Sequence, residues 1–122
     1  MLKLHWVAGA ERELSKFPDA VKRQAGFVLG AVQSGETKLR TIKHWRGAFS
    51  KTFEICLNDR SGTYRIVYTA RISGCIHVLY AFHKKSHDGR STPTKDVEAI
   101  DHRQRLIDQL SGPTHDRDDH PK

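Results

Sequence analysis

The chain has 122 residues, with 21 Lys and Arg against 14 Asp and Glu, a net charge of +7 and an apolar share of 37%. That is enough for one compact domain and too little for two, and it lies above the range in which disorder is the default. No run approaches the ~20 apolar residues of a membrane span, the opening MLKLHWVAGAERELSK has a charge inside its only apolar run and is no signal peptide, and Cys56 and Cys75 have neither zinc-site nor disulfide-framework spacing.

In chain order, residues 3–7 alternate partly and predict a short strand. From about Ala8 to Phe17, Ala10, Leu14 and Phe17 recur at helical spacing. Pro18 breaks that helix and suits the first turn of the next. The second helix sets Val21, Ala25, Val28, Leu29 and Val32 on one face and stops at Ser34-Gly35. Residues 36–51 read as a basic loop holding at most a short strand. Thr52–Asn58, Thr63–Ile72 and Cys75–His83 are rich in aromatic and β-branched residues and predict three strands. Turn signals at Asp59-Arg60-Ser61-Gly62 and Ser73-Gly74 join them into an antiparallel meander. A last helix begins near Thr92-Pro93, with Thr92 as N-cap and Val97, Ile100, Ile107 and Leu110 as its apolar side. Residues 1–110 thus form one domain, and the tail 111–122, which has no apolar residue after Ser111, is expected to be disordered. The expected fold is α+β, with helices on one side of a mostly antiparallel sheet.

The charge is uneven. Residues 38–95 hold twelve Lys and Arg against three acids (Glu54, Asp59, Asp88), a net +9, whereas 96–110 carry −2 and 111–122 carry −1. Concentrating cations in one segment favours a polyanion-binding face over a merely solvated basic surface. If Ser73-Gly74 is a two-residue loop, Arg65 pairs with Phe82, and Lys84 is its diagonal neighbour on the same sheet face. For the first hairpin two registers remain: a four-residue loop opposes Cys56 to Arg65, and a five-residue loop opposes Ile55 to it. An arginine in mid-sheet needs a partner. Glu54 is one candidate. The neighbourhood of Lys84, Lys85, His83, His87, Arg90 and Lys51 points instead to a phosphate. The remaining histidines are scattered, no metal-ligand spacing is present, and neither metal nor cofactor is expected.

The run from Gly62 to Pro93 resembles the RelE/ParE superfamily of bacterial toxins, and most of all its phage-derived HigB-like branch. The residues that carry the resemblance are Gly62, Tyr64, Arg65, Tyr68, Ala81, Phe82, Lys84, Lys85, Thr92 and Pro93, with Leu39, Gly47 and Glu54 upstream. It implies a RelE-like fold, a cytoplasmic type II toxin that cleaves mRNA, often on the ribosome, and a cognate antitoxin with a helix-turn-helix domain. It also implies Arg65, Lys84 and Lys85 in the active cleft. Beside these, His87 or His83 is a candidate proton-transfer group, because an imidazole titrates near neutrality, and Lys43, Lys51, His83 and Arg90 are candidate RNA contacts. The antitoxin is expected to lie over the cleft or against the terminal helix. One position departs from the branch, which often carries arginine where this chain has Cys56. Two other readings are a ParE-type gyrase inhibitor and a non-enzymatic basic RNA- or ribosome-binding module.

Overall fold

The computed structural model describes residues 2–36, 38–45, 51–70, 74–84 and 93–111. Along them run β1 (Lys3–Trp6), α1 (Ala10–Ser15), α2 (Asp19–Gln33), β2 (Ile42–His44), β3 (Thr52–Asp59), β4 (Gly62–Thr69), β5 (Cys75–Lys84) and α3 (Thr94–Ser111). The first helix is shorter than its apolar spacing suggests. Ala8 takes a φ of 52° and Gly9 stays outside helical geometry, so the helix starts only at Ala10. Pro18 sits at the N-cap of α2, one residue before its first turn. At the other end Gly35, at φ 97°, lets its own N–H reach Val32 and that of Glu36 reach Ala31, which closes the orphaned carbonyls. The short strand in the basic segment exists as β2, and β4 ends at Thr69, ahead of the expected Ile72. Thr92 and residues 112–122 lie outside the described residues.

The sheet has five strands in the order β1-β5-β4-β3-β2. Only the β1–β5 pair is parallel. In the first hairpin Asp59 pairs with Gly62, so the loop proper is Arg60-Ser61, and Cys56 opposes Arg65. Asp59 Oδ2 accepts from the Ser61 N–H and hydroxyl, an Asx turn that sets the bend. Gly62 is obligatory there: its φ is 131°, and a Cβ would lie 2.6 Å from His83 Nε2. In the second hairpin Arg65 pairs with Phe82 and Thr63 with Lys84, the expected pairs. Ser73 of the expected two-residue loop lies outside the described residues, and Thr69 pairs with His77, one residue off that loop's register. The register then slips between Val67 and Tyr68, which face Tyr80 and Val78 and leave Leu79 as a bulge.

That bulge turns both Leu79 and Tyr80 toward one face, and helices cover both faces. Helices α1 and α2, with Phe17 between them, pack through Ala10, Phe17, Val21, Ala25, Val28 and Leu29 against Ile55, Leu57, Ile66, Ile76 and Val78. The alternate positions Val67, Leu79 and Phe82 belong to a second cluster with Ile100 and Ile107 of α3. The expectation of helices on one side is therefore corrected: α3 lies opposite the other two. Apolar spacing marks which side of a helix is buried but not which face of a sheet receives it.

Strand β1 stops at Trp6, so β5 has an unpaired edge beyond Val78. Two charged side chains close it. Arg103 Nη1 donates to the Leu79 carbonyl at 2.9 Å, and the Ala81 N–H donates to Glu13 Oε1 at 3.2 Å. Arg103 and Glu13 also form a two-bond ion pair at 2.9 and 2.8 Å, which joins α1, α3 and β5.

Candidate active site

On the α3 side of the sheet, strand alternation brings Thr52, Glu54, Cys56 and Asn58 of β3 to one face. Pairing then builds rows across it. One row runs Lys43, Glu54, Val67, Tyr80, and the next runs Cys56, Arg65, Phe82. Lys84 follows beyond Phe82, opposite Thr63. Helix α3 covers the far end of this face. There the Tyr80 hydroxyl donates to Asp96 Oδ1 at 2.6 Å, Gln104 Nε2 donates to the Thr52 hydroxyl, and the Arg103 guanidinium lies 5.0 Å from the Tyr80 ring centre.

Arg65 occupies the middle of the site. Its Nη1 donates to Glu54 Oε1 at 2.8 Å, and its Nε is buried with no hydrogen-bond partner among the described residues. Lys84 is only 7% exposed, whereas Lys43 is exposed. Cys56 lies within electrostatic range of all four charges. Burial pushes its thiol above the ordinary value and Glu54 adds to that, against the opposing pull of Arg65, Lys43 and Lys84. The thiol thus stays protonated at neutral pH and does not neutralise the neighbouring cations.

Of the residues singled out in the sequence, Arg65, Lys84 and Lys43 come together on this face. Lys51 stands at the opposite end of β3, roughly 16 Å along the strand from Cys56. His83 alternates to the other face, where it stacks on Tyr64 at a ring separation of 4.3 Å and bonds the Ser61 carbonyl through Nε2. Lys85, His87 and Arg90 lie outside the described residues. Tyr64 and Tyr68, on either side of Arg65 in the motif, are both buried in the α1/α2 core, so of the three only Arg65 faces the site. Glu54 and Cys56 were legible as same-face neighbours from the parity of β3 alone. The polar contacts of α3 were not, because its apolar spacing ignores Asp96 and Gln104, both of which are buried.

Among the described residues no helix is long and apolar enough to cross a membrane. The family model described as "Phage derived protein Gp49-like (DUF891)" matches residues 12–105. No curated protein sequence matches the chain significantly. Among solved structures, the isolated Escherichia coli RelE toxin is similar with a TM-score of 0.56 at 18% identity, over 90% of this chain and 99% of that one. A double arginine-to-alanine mutant of E. coli RelE in the free state gives 0.57 at 21% identity, over 87% and 97%. The same mutant in complex with an antitoxin RelB peptide gives 0.56 at 20% identity, over 71% and 87%. The chain accordingly belongs to the phage-derived Gp49-like family, and its α+β fold is the RelE fold.

Proposed function

We propose that this chain is the toxin of a toxin–antitoxin system and that it arrests translation by cutting mRNA. The observation that carries the reading is the grouping of Lys43, Arg65 and Lys84 around one carboxylate on the sheet face beside α3. Such a grouping exceeds what a structural ion pair requires, and it suits a phosphate whose charge grows during reaction.

In the proposed reaction the RNA's own 2′-hydroxyl attacks the adjacent phosphorus. Its proton passes to a base, the bond to the 5′-oxygen breaks, and that oxygen takes up a proton. The products are a 2′,3′-cyclic phosphate and a 5′-hydroxyl end. Arg65, held in orientation by Glu54, stabilises the phosphorane with its planar fork of donors. Lys84, largely withdrawn from water, adds a charge whose field is little screened. Lys43 and Lys85 neutralise the RNA backbone, and His87 is the proton-transfer residue. The reaction needs no metal and continues in EDTA.

Removing one such phosphate contact costs roughly 3–4 kcal/mol in the transition state, or 10²–10³ in rate. Primer extension on transcripts after induction should show cuts with the wild type and none with soluble Arg65→Ala, together with loss of growth arrest. Full toxicity of a folded Arg65→Ala overturns the reading. Intact transcripts beside a blocked gyrase supercoiling assay would assign the chain to gyrase inhibition, and steeply salt-dependent RNA binding without cleavage would make it a binding module.

A further inference from the structure

A second surface lies across the sheet from the cations. Helix α2 buries Val21, Ala25, Val28, Leu29 and Val32, but Phe27 stands off that stripe and is 74% exposed, the one large apolar side chain so exposed among the described residues. Beside it a groove of about 490 Å³ opens between α2 and the segment leading into β2, floored by Val28, Leu39 and Leu57. Arg23 and Arg40 stand at its rim, both exposed, and neither forms an ion pair among the described residues. No acid lines it. Gly26 and Gly30 sit one helical turn apart next to Phe27, and a Cβ at either would meet nothing within 4 Å. Each weakens the helix without serving any contact among the described residues.

We propose that this groove docks an acidic amphipathic helix of the cognate antitoxin, an inference that rests on the toxin reading above. An apolar centre with an arginine on each rim selects a helix presenting bulky apolar residues at i, i+3 or i+4 spacing with carboxylates beside them. Gly26 and Gly30 do not line the groove, but without side chains they leave the turns beside Phe27 open to a docked helix. The chain's own residues 112–122 bring Asp116, Asp118 and Asp119 but no apolar side chain, so they do not fit the centre. A second copy docking through the same face would set Arg23 and Arg40 against their equivalents, which like-charge repulsion disfavours. Because Leu57 and Arg65 point to opposite faces of the sheet, the docked helix anchors the antitoxin without entering the cation site.

The test uses the full chain produced with the protein encoded by the adjoining reading frame, and it compares Phe27→Glu, Arg23→Glu/Arg40→Glu and Gly26→Ala/Gly30→Ala. Each is expected to weaken antitoxin binding at least tenfold and to leave cells unrescued by it, while transcript cleavage by the free toxin stays at the wild-type level. The glycine pair is the sharpest arm, since it should raise Tm while it lowers affinity. Neutralisation of all three variants at wild-type antitoxin levels overturns the groove but not the toxin reading. Wild type that neither arrests growth nor cuts transcripts overturns that reading instead. A dimer in sedimentation that Phe27→Glu dissociates, a groove closed by residues 112–122 and freed by their truncation, or loss of ribosome co-sedimentation in the arginine pair each assigns the groove another occupant and overturns the proposal.

Discussion

Arg65 and Glu54 form a hydrogen-bonded ion pair across β4 and β3, not directly opposite but one diagonal apart, since Glu54 faces Val67 and Arg65 faces Cys56. The pair spans two rows of the same face and reaches from the end covered by α3 toward Lys84. An arginine tied only to a structural partner needs no further cations. Here Lys43 stands opposite Glu54 on β2, and Lys84 lies beyond Arg65 on β5. The carboxylate therefore holds a guanidinium in place inside a field that remains positive.

Glu54→Gln separates orientation from charge. The amide oxygen still accepts from Arg65, while removal of the negative charge leaves three cations facing one another. A stability loss of about 1–2 kcal/mol in urea unfolding is expected, with transcript cleavage reduced about tenfold. Arg65→Ala should cost 10²–10³ in cleavage, as should Arg65→Lys to a lesser degree, because an ammonium lacks the planar fork. Adding Glu54→Gln to Arg65→Ala should then cost no further activity, since the carboxylate acts through the guanidinium. If the two single variants lost activity only in proportion to stability, the pair would be structural.

The unpaired edge of β5 gives a second expectation. Glu13→Ala removes the acceptor of the Ala81 N–H and strands the Arg103 guanidinium, which is 16% exposed. A destabilisation of about 2–3 kcal/mol follows. Glu13→Gln, which still accepts from both donors, should lose less than half of that. Hydrogen exchange at the Ala81 amide distinguishes an edge cap from a plain surface ion pair: it should accelerate in Glu13→Ala and stay protected in Glu13→Gln.

These two sites differ in how far the sequence discloses them. Arg65 and Lys84 share a face because side chains in a strand alternate. The register near the turn, Thr69 with His77, would however oppose Arg65 to Ala81, and the Leu79 bulge is what sets Arg65 opposite Phe82. The same rule separates His83 from Lys84, although they are neighbours in the chain. The Leu79 bulge breaks parity without any local mark, because both faces there are apolar and either alternation fits the residue types. The edge cap depends on where β1 stops against β5, a parallel pairing over some seventy residues. Neither Glu13 nor Arg103 carries a local sign of that contact. Phe27 falls off the apolar stripe of α2 in the sequence, and only the packing shows that the described residues leave it largely exposed.

Two tyrosines contribute stability that is lost at alkaline pH. Burial pushes Tyr68 up to about 12 from its ordinary 10.0. Tyr80 also rises to about 12, through burial first and then its hydrogen bond to Asp96. Both folded values exceed the unfolded one, so their contribution is complete below pH 10 and is lost as pH climbs from 10 toward 12. For Tyr68 the full swing is about 3 kcal/mol. The Tyr68 hydroxyl is buried without a hydrogen-bond partner among the described residues. Tyr68→Phe should therefore be neutral or stabilising by about 1 kcal/mol at pH 7, and it should flatten the decline of Tm above pH 10. Tyr80→Phe should instead cost about 2 kcal/mol at pH 7, because Asp96 is buried and loses its donor.

Gly62 connects the turn to the site. An alanine there would have to hold a φ of 131° and set its Cβ 2.6 Å from His83 Nε2 and 3.0 Å from the Lys84 carbonyl oxygen. Strain and overlap together should destabilise Gly62→Ala by about 2–3 kcal/mol. His83→Ala alone should cost about 1 kcal/mol through the lost stack on Tyr64. In the double variant the ring is gone but the backbone strain and the contact with the Lys84 carbonyl remain. Its loss should then be smaller than the two singles combined, by about 1 kcal/mol, yet still larger than that of His83→Ala. Because the remaining contact bears on the backbone of Lys84, transcript cleavage should fall in the double variant by more than its stability explains, and His83→Ala alone should cleave normally. Equal cleavage by the double variant and the wild type at matched folded fraction would detach Lys84 from the chemistry.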